Sequence, residues 1–270
     1  MIDRPQNSNG PSNLGMGFTW RDAIANMSPT GYVRNGRPSF SPNARDSETT
    51  AIELAITLNR LDWLGTLLDA GGNVDDFLGA SMTSYGHQAI RHGNHKALAL
   101  LIDHGYRLGY CDRGGRNDAH HCALTNSATT VACCTAHPTI LLVKDRKGYA
   151  PYHLAFQEQH VAIARVMLRA MPEDACDPSG ASAIHYAARC NDHTVIADAL
   201  RLSSVNAVDA LGRTPLHHAV PRGGYRMALE LLAAGADPGA RDAFGRTPEQ
   251  GMEDATYDSQ STLIRHLLSS

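Results

Sequence analysis

The sequence predicts an all-α solenoid, a stack of about seven helix-turn-helix units of about 33 residues joined by hairpin tips. Three observations predict it. An Asp-x-x-Gly turn recurs: Asp112, Asp145, Asp177, Asp209 and Asp242 each precede a glycine by three positions, and Gly115, Gly148, Gly180, Gly212 and Gly245 stand 33, 32, 32 and 33 residues apart. A histidine keeps the same register at His87, His120, His153, His185 and His217. A small residue leads, sixteen positions on, to a second glycine behind a leucine pair: Ala55 to Gly71, Ala89 to Gly105 and Ala219 to Gly235.

From the start of the chain, residues 1–45 are rich in Asn, Ser, Gly and Pro and are expected to form a flexible segment. A stretch such as Pro5–Gly17 buries too little apolar surface to offset its ordering entropy. Inside it, Phe18, Trp20, Ile24 and Met27 have helical spacing that would let part of the segment dock on the first repeat. The repeats run over 46–270, in units of approximately 46–78, 79–114, 115–147, 148–179, 180–211, 212–244 and 245–270. Asp76 and Gly79 extend the series upstream, with about three extra residues before a helix at Tyr85.

Within a unit, Asp-x-x-Gly sets a turn former and a positive-φ residue at the tip. In Thr214-Pro215 and Thr247-Pro248 the threonine can cap exposed N–H groups and proline tolerates the first helical position. The small residue after the histidine lets neighbouring helices approach, and the leucines supply the apolar stripe of the second helix. The second glycine ends that helix in a left-handed conformation. Glu53 in the first unit and Glu249-Gln250 in the last replace apolar or histidine positions, as expected where a stack meets water. The unit 115–147 has Cys134-Thr135 for Leu-Leu and Pro138 for the glycine, so its second helix is expected to be short or irregular.

Asp209, the run Gly212-Arg213-Thr214-Pro215-Leu216-His217-His218-Ala219, then Leu231-Leu232 and Gly235-Ala236 resemble the ankyrin repeat, and the resemblance extends over 46–270. It implies that the register histidine hydrogen-bonds backbone near the hairpin and fixes the turn. It also implies a binding surface made of hairpin tips and the exposed side of the first helices. Carried onto this chain, that surface is Phe77, Arg91, Arg113, Arg116, Arg146, Lys147, Tyr149, Arg189, Leu211, Arg213, Arg222, Phe244 and Arg246. Arginine and aromatic residues dominate protein–protein hot spots, and an acidic protein surface is their natural complement.

No G-x-S-x-G, Walker-type loop, dinucleotide fingerprint or H-E-x-x-H occurs. Cys111, Cys122, Cys133 and Cys134 lie near His104, His120, His121 and His137, ligand types that zinc favours. No C-x-x-C pair accompanies them, and cysteine is also a small hydrophobe suited to tight helix packing. No catalytic residue, metal or cofactor is therefore assigned, and an enzyme using this Cys/His-rich site is the alternative. The net charge of −3 speaks against nucleic acid, and apolar runs such as Ile140–Val143 are too short to span a membrane. No secretory leader is visible, so the six cysteines read as reduced thiols of a cytoplasmic protein. The polar N-terminus also suits leaderless secretion, or a pathogen effector acting in a host cell. The expected function is that of a scaffold, adaptor or inhibitor holding another protein.

Overall fold

The structure, a computed structural model, describes residues 19–34, 37–46, 49–78, 82–252 and 259–269; Pro5–Gly17, Phe18 and Gly79 lie outside them. The chain divides into two units, Met1–Gly114 and Gly115–Ser270.

In the first unit, α1 (Trp20–Asn26) opens on a reciprocal capping box between Thr19 and Asp22. Its Trp20, Ala23 and Ile24 are buried, and it packs on α2 (Ala51–Thr57). The carbonyls at the end of α1 have no intrahelical donor. Arg60 fills that need: its guanidinium donates to the carbonyls of Ile24, Ala25 and Met27, while Trp63 Nε1 donates to Met27 at 2.8 Å. Thr19–Met27 belongs to the polar segment in which helical spacing would allow docking on the first repeat, and specific donors hold it in place. A hairpin of β1 (Val33–Arg34) and β2 (Arg37–Pro38) follows, and Phe40 packs 5.4 Å from the Trp63 ring.

The rest of this unit is two helix pairs, α2 with α3 (Leu61–Asp69) and α4 (Tyr85–Arg91) with α5 (His95–Asp103). Ile52, Trp63, Leu64, Leu67, Leu98 and Leu101 fill the core. Between the pairs, β3 (Phe77–Leu78) and β4 (Thr83–Ser84) pair antiparallel.

The second unit repeats the pair in α6 (Asp118–Thr125) and α7 (Ala128–Thr135), α8 (Pro151–Gln157) and α9 (Val161–Ala170), α10 (Ala183–Cys190) and α11 (Ile196–Leu200), and α12 (Pro215–Ala219) and α13 (Tyr225–Ala233). A final helix, α14 (Ser259–Ser269), packs on α13. First helices stack on first helices because Cys122, Ala155, Ala187 and Ala219 leave no bulk between them, and each is at most 1% exposed. In α7 the buried Cys134 takes the place of a core leucine, and a 3-10 turn over Pro138–Leu141 follows the helix. Among the described second helices, the more irregular one is α11, five residues entered through a 3-10 turn at His193–Val195.

Turns follow the chemistry of their residues. Gly71, Gly105 and Gly235 end α3, α5 and α13 with φ of 91°, 97° and 92°. The tight link from first to second helix is also left-handed, at Asn59, Gly93, Asn126, Gln159, Asn191 and Gly223.

Candidate interaction surface

The tips of the second unit are built by the hairpin aspartates. In each, Oδ1 accepts the N–H groups two and four residues on: Lys147 and Tyr149 at 2.9 and 3.0 Å for Asp145, and Leu211 and Arg213 at 2.9 and 3.0 Å for Asp209. Asp177 and Asp242 repeat this with Ser179 and Ala181, and with Phe244 and Arg246. The glycine N–H returns to the aspartate carbonyl at 2.9 Å in all four tips. Neighbouring tips also join, since Ala210 N donates to Ser179 O and Ala243 N to Leu211 O, both at 2.8 Å. The closeness leaves no room for a side chain at the glycine: a Cβ on Gly180 would lie 2.9 Å from Ala210 N.

The second carboxylate oxygen takes a cation or hydroxyl. Arg213 and Arg246 reach back to Asp209 and Asp242 at 2.8 and 2.9 Å, Arg116 approaches Asp145 at 3.7 Å, and the Tyr186 hydroxyl donates to Asp177 at 2.7 Å. Burial alone would raise the Asp209 carboxyl, but the Arg213 side chain and N–H outweigh it and hold it at about 2. Two arginines of the expected binding surface, Arg213 and Arg246, therefore brace their own tips, and Arg116 leans on the next one. Arg246 also lies 5.1 Å from the centre of the Phe244 ring.

The register histidines complete the frame. Nδ1 of His120, His153, His185 and His217 accepts the N–H of Asn117, Ala150, Ser182 and Thr214 at 2.9–3.2 Å, the role of the acidic partner in a capping box. That acceptor role fixes the proton on Nε2. From there His120, His185 and His217 donate to the carbonyls of Tyr149, Arg213 and Arg246 in the next tip, at 3.0 Å. In the first unit His87 makes the same pair of contacts, to Ser84 N and Tyr110 O. Nε2 of His153 makes no such bond among the described residues. Gln250 substitutes in the last tip, its Oε1 accepting Thr247 N–H at 2.9 Å.

What remains for a partner is a smaller set. Arg146 and Lys147 are exposed, with no carboxylate partner among the described residues. Leu211 is 42% and Phe244 68% exposed on adjacent tips, and Val208, at 59%, adds to the apolar surface. Sequence reasoning missed Val208, although an apolar side chain stands there where Lys144 and Arg241 precede two of the other tips. Tyr149 is half-buried and turned edge-on to His153. Arg189 and Arg222 lie lower, at the ends of first helices, with Arg222 Nη1 donating to Arg189 O at 2.9 Å. In the first unit Arg91 and Arg113 are exposed, and Phe77 lies in β3.

Two residues of the cysteine-rich stretch serve packing. Cys122 and Cys134 bring α6 against α7 with their sulfurs 3.3 Å apart and both buried. The contact with Cys122 and burial raise the Cys134 thiol well above its ordinary value. Cys133 points its sulfur toward Thr129 O instead, and His137 is exposed. Among the described residues no three His, Cys, Asp or Glu side chains are grouped to hold a metal ion, and no helix is long and apolar enough to cross a membrane.

Residues 169–242 match the family model for ankyrin repeats (3 copies). The chain is 29% identical over 159 residues to mouse (Mus musculus) Rabankyrin-5, covering 56% of this chain and 13% of that protein. It is 26% identical over 197 residues to the chicken (Gallus gallus) nuclear factor NF-kappa-B p105 subunit, covering 72% of this chain and 17% of that protein. The chain thus spans under a fifth of the length of either relative. Its fold matches the ankyrin repeat domain of Bcl-3 with a TM-score of 0.69 at 22% identity, over 82% of this chain and 100% of that domain. With its capped helix pairs, self-bonded tips and in-phase histidines, the chain carries ankyrin repeats and has the fold of an ankyrin-repeat protein.

Proposed function

We propose that the chain is a non-catalytic scaffold, adaptor or inhibitor that holds a protein partner with an acidic surface across its hairpin tips and first-helix face. Ankyrin repeats are a protein–protein interaction fold. The observation that carries the reading is the exposure of Leu211 and Phe244, with the unpaired Arg146 and Lys147, on tips whose own polar groups are already satisfied. A tip that needs no reordering loses little entropy when a partner docks, so its apolar and cationic groups contribute in full. The two unpaired cations would speed encounter with an acidic surface.

The test is affinity capture from cell extract with the wild type, a charge-reversal variant (R113E/R146E/K147E) and an apolar truncation (L211A/F244A). Loss of the same bound proteins by both variants is expected. Equal recovery by all three would overturn the proposal.

A further inference from the structure

Away from the tips, the ends of α8 and α10 and the turn after α12 enclose a groove of about 450 Å³. Its floor is aromatic: the Phe156 and Tyr186 rings lie 5.6 Å apart, tilted by 30° to each other. Two cations flank it. Arg189 sits with its guanidinium 5.4 Å from the centre of the Tyr186 ring, and Arg222 spans the Arg189 carbonyl. Beyond that one bond, neither guanidinium has a hydrogen-bond acceptor or carboxylate partner among the described residues, in contrast to Arg213 and Arg246. The anion in the groove, Asp192, uses Oδ1 to accept the N–H and hydroxyl of Thr194 at 2.9 and 2.7 Å. Gln159, at the lip, holds a left-handed φ of 59° where equivalent links use Asn or Gly. A polar side chain in that conformation is kept only where its surroundings enforce it.

We infer that this groove is a peptide subsite that takes an acidic side chain lying next to an apolar one. The carboxylate would sit between the two guanidiniums, whose planar forks match it, and the apolar neighbour would lie on the Phe156–Tyr186 floor. Pre-set arginines, one stacked on an aromatic ring and one bonded to backbone, lose less freedom on binding than arginines waving in solvent. This inference rests on the protein-binding reading above and places one contact at the lower end of its first-helix face, away from the tips varied in the capture test, so the two can fail separately.

The probe is a random peptide display library selected on the immobilised full chain. Peptides sharing an Asp or Glu beside an apolar residue are expected. Charge reversal (R189E/R222E) and the milder R189Q/R222Q should each weaken a synthetic copy of the selected peptide at least about tenfold. L211A/F244A should leave its affinity unchanged. Far-UV circular dichroism checks that the variants fold. A second readout needs no variant: Cys190 lines the groove, so bound peptide should slow its alkylation by iodoacetamide and leave the exposed Cys111 unaffected. The inference is overturned if no peptide is recovered, if those recovered lack acidic residues, or if Cys190 alkylates at the same rate with peptide bound. Loss of the peptide in L211A/F244A alone would instead return the contact to the tips.

Discussion

Replacing Asp209 with Asn asks whether charge, beyond shape, holds a tip together. Asp209 is 5% exposed and accepts four hydrogen bonds: the N–H groups of Leu211 and Arg213, the Arg213 guanidinium and His218 Nε2. Its carboxyl stands at about 2, against 3.8 in an open chain. A pKa lowered by folding means that folding favours the ionised form. The contribution is therefore complete above the unfolded value and is lost as pH falls toward the folded one. The gap between the two values is worth about 2 kcal/mol. Asparagine keeps the volume and the Oδ1 acceptor, but its NH2 cannot accept from Arg213 and His218, so D209N removes the charge together with the two bonds to Oδ2. Urea denaturation of wild type and D209N is the assay. At neutral pH the variant should be less stable by about 2 kcal/mol, and near pH 3 the difference should shrink to about 1 kcal/mol. An equal difference at both pH values would make the effect geometric, and no difference at neutral pH would refute the reasoning.

Burial holds His153 and His218 down at about 4 against 6.5, so an unfolded chain takes up protons in that interval which the folded chain refuses. Melting temperature should fall as pH drops from 6.5 toward 4, and less steeply in a His153→Gln/His218→Gln double variant; parallel profiles would count against it. Gly235→Ala meets no neighbour and should cost only the left-handed conformation, about 1 kcal/mol, whereas Gly180→Ala also meets Ala210 N and should cost about 2 to 3 kcal/mol in urea titrations. Equal losses would place the tips farther apart. Thiol labelling of the native protein should reach Cys111 and Cys176 first, and Cys122 and Cys134 only on unfolding; early labelling of Cys134 would show that α6 and α7 part readily.

The tips were the most legible feature, because Asp-x-x-Gly states both the acceptor and the positive-φ residue, and the histidine register followed with them. The ion pairs of Arg213 and Arg246 were legible too, beside the partner-facing role expected of these residues. Each stands four residues after its aspartate, within reach of the carboxylate across a tight turn. The left-handed links between helices had a signal that the glycine search passed over: Asn59, Asn126 and Asn191 alternate there with Gly93 and Gly223. Gln159 broke the pattern and hid it. The docking of α1 was less visible, since it depends on Arg60 and Trp63, whose apolar and charged character says nothing of a helix end far away in sequence. The groove could not be read at all, because Phe156, Tyr186 and Arg222 come from three repeats and meet only through stacking.

The histidine anchor has a consequence for how such a chain changes over generations. His120, His185 and His217 reach across to a main-chain carbonyl, never to a side chain, so the neighbour's identity is immaterial to the joint. A segment of one repeat length can be duplicated, deleted or exchanged and still find its anchor, leaving the tip side chains free to diversify. Nε2 of His153 makes no such bond among the described residues, and the junction after it relies instead on Tyr186, whose ring packs on Tyr152 and whose hydroxyl donates to Asp177. That junction is specific to its two repeats, and a transplanted neighbour should fit there worst.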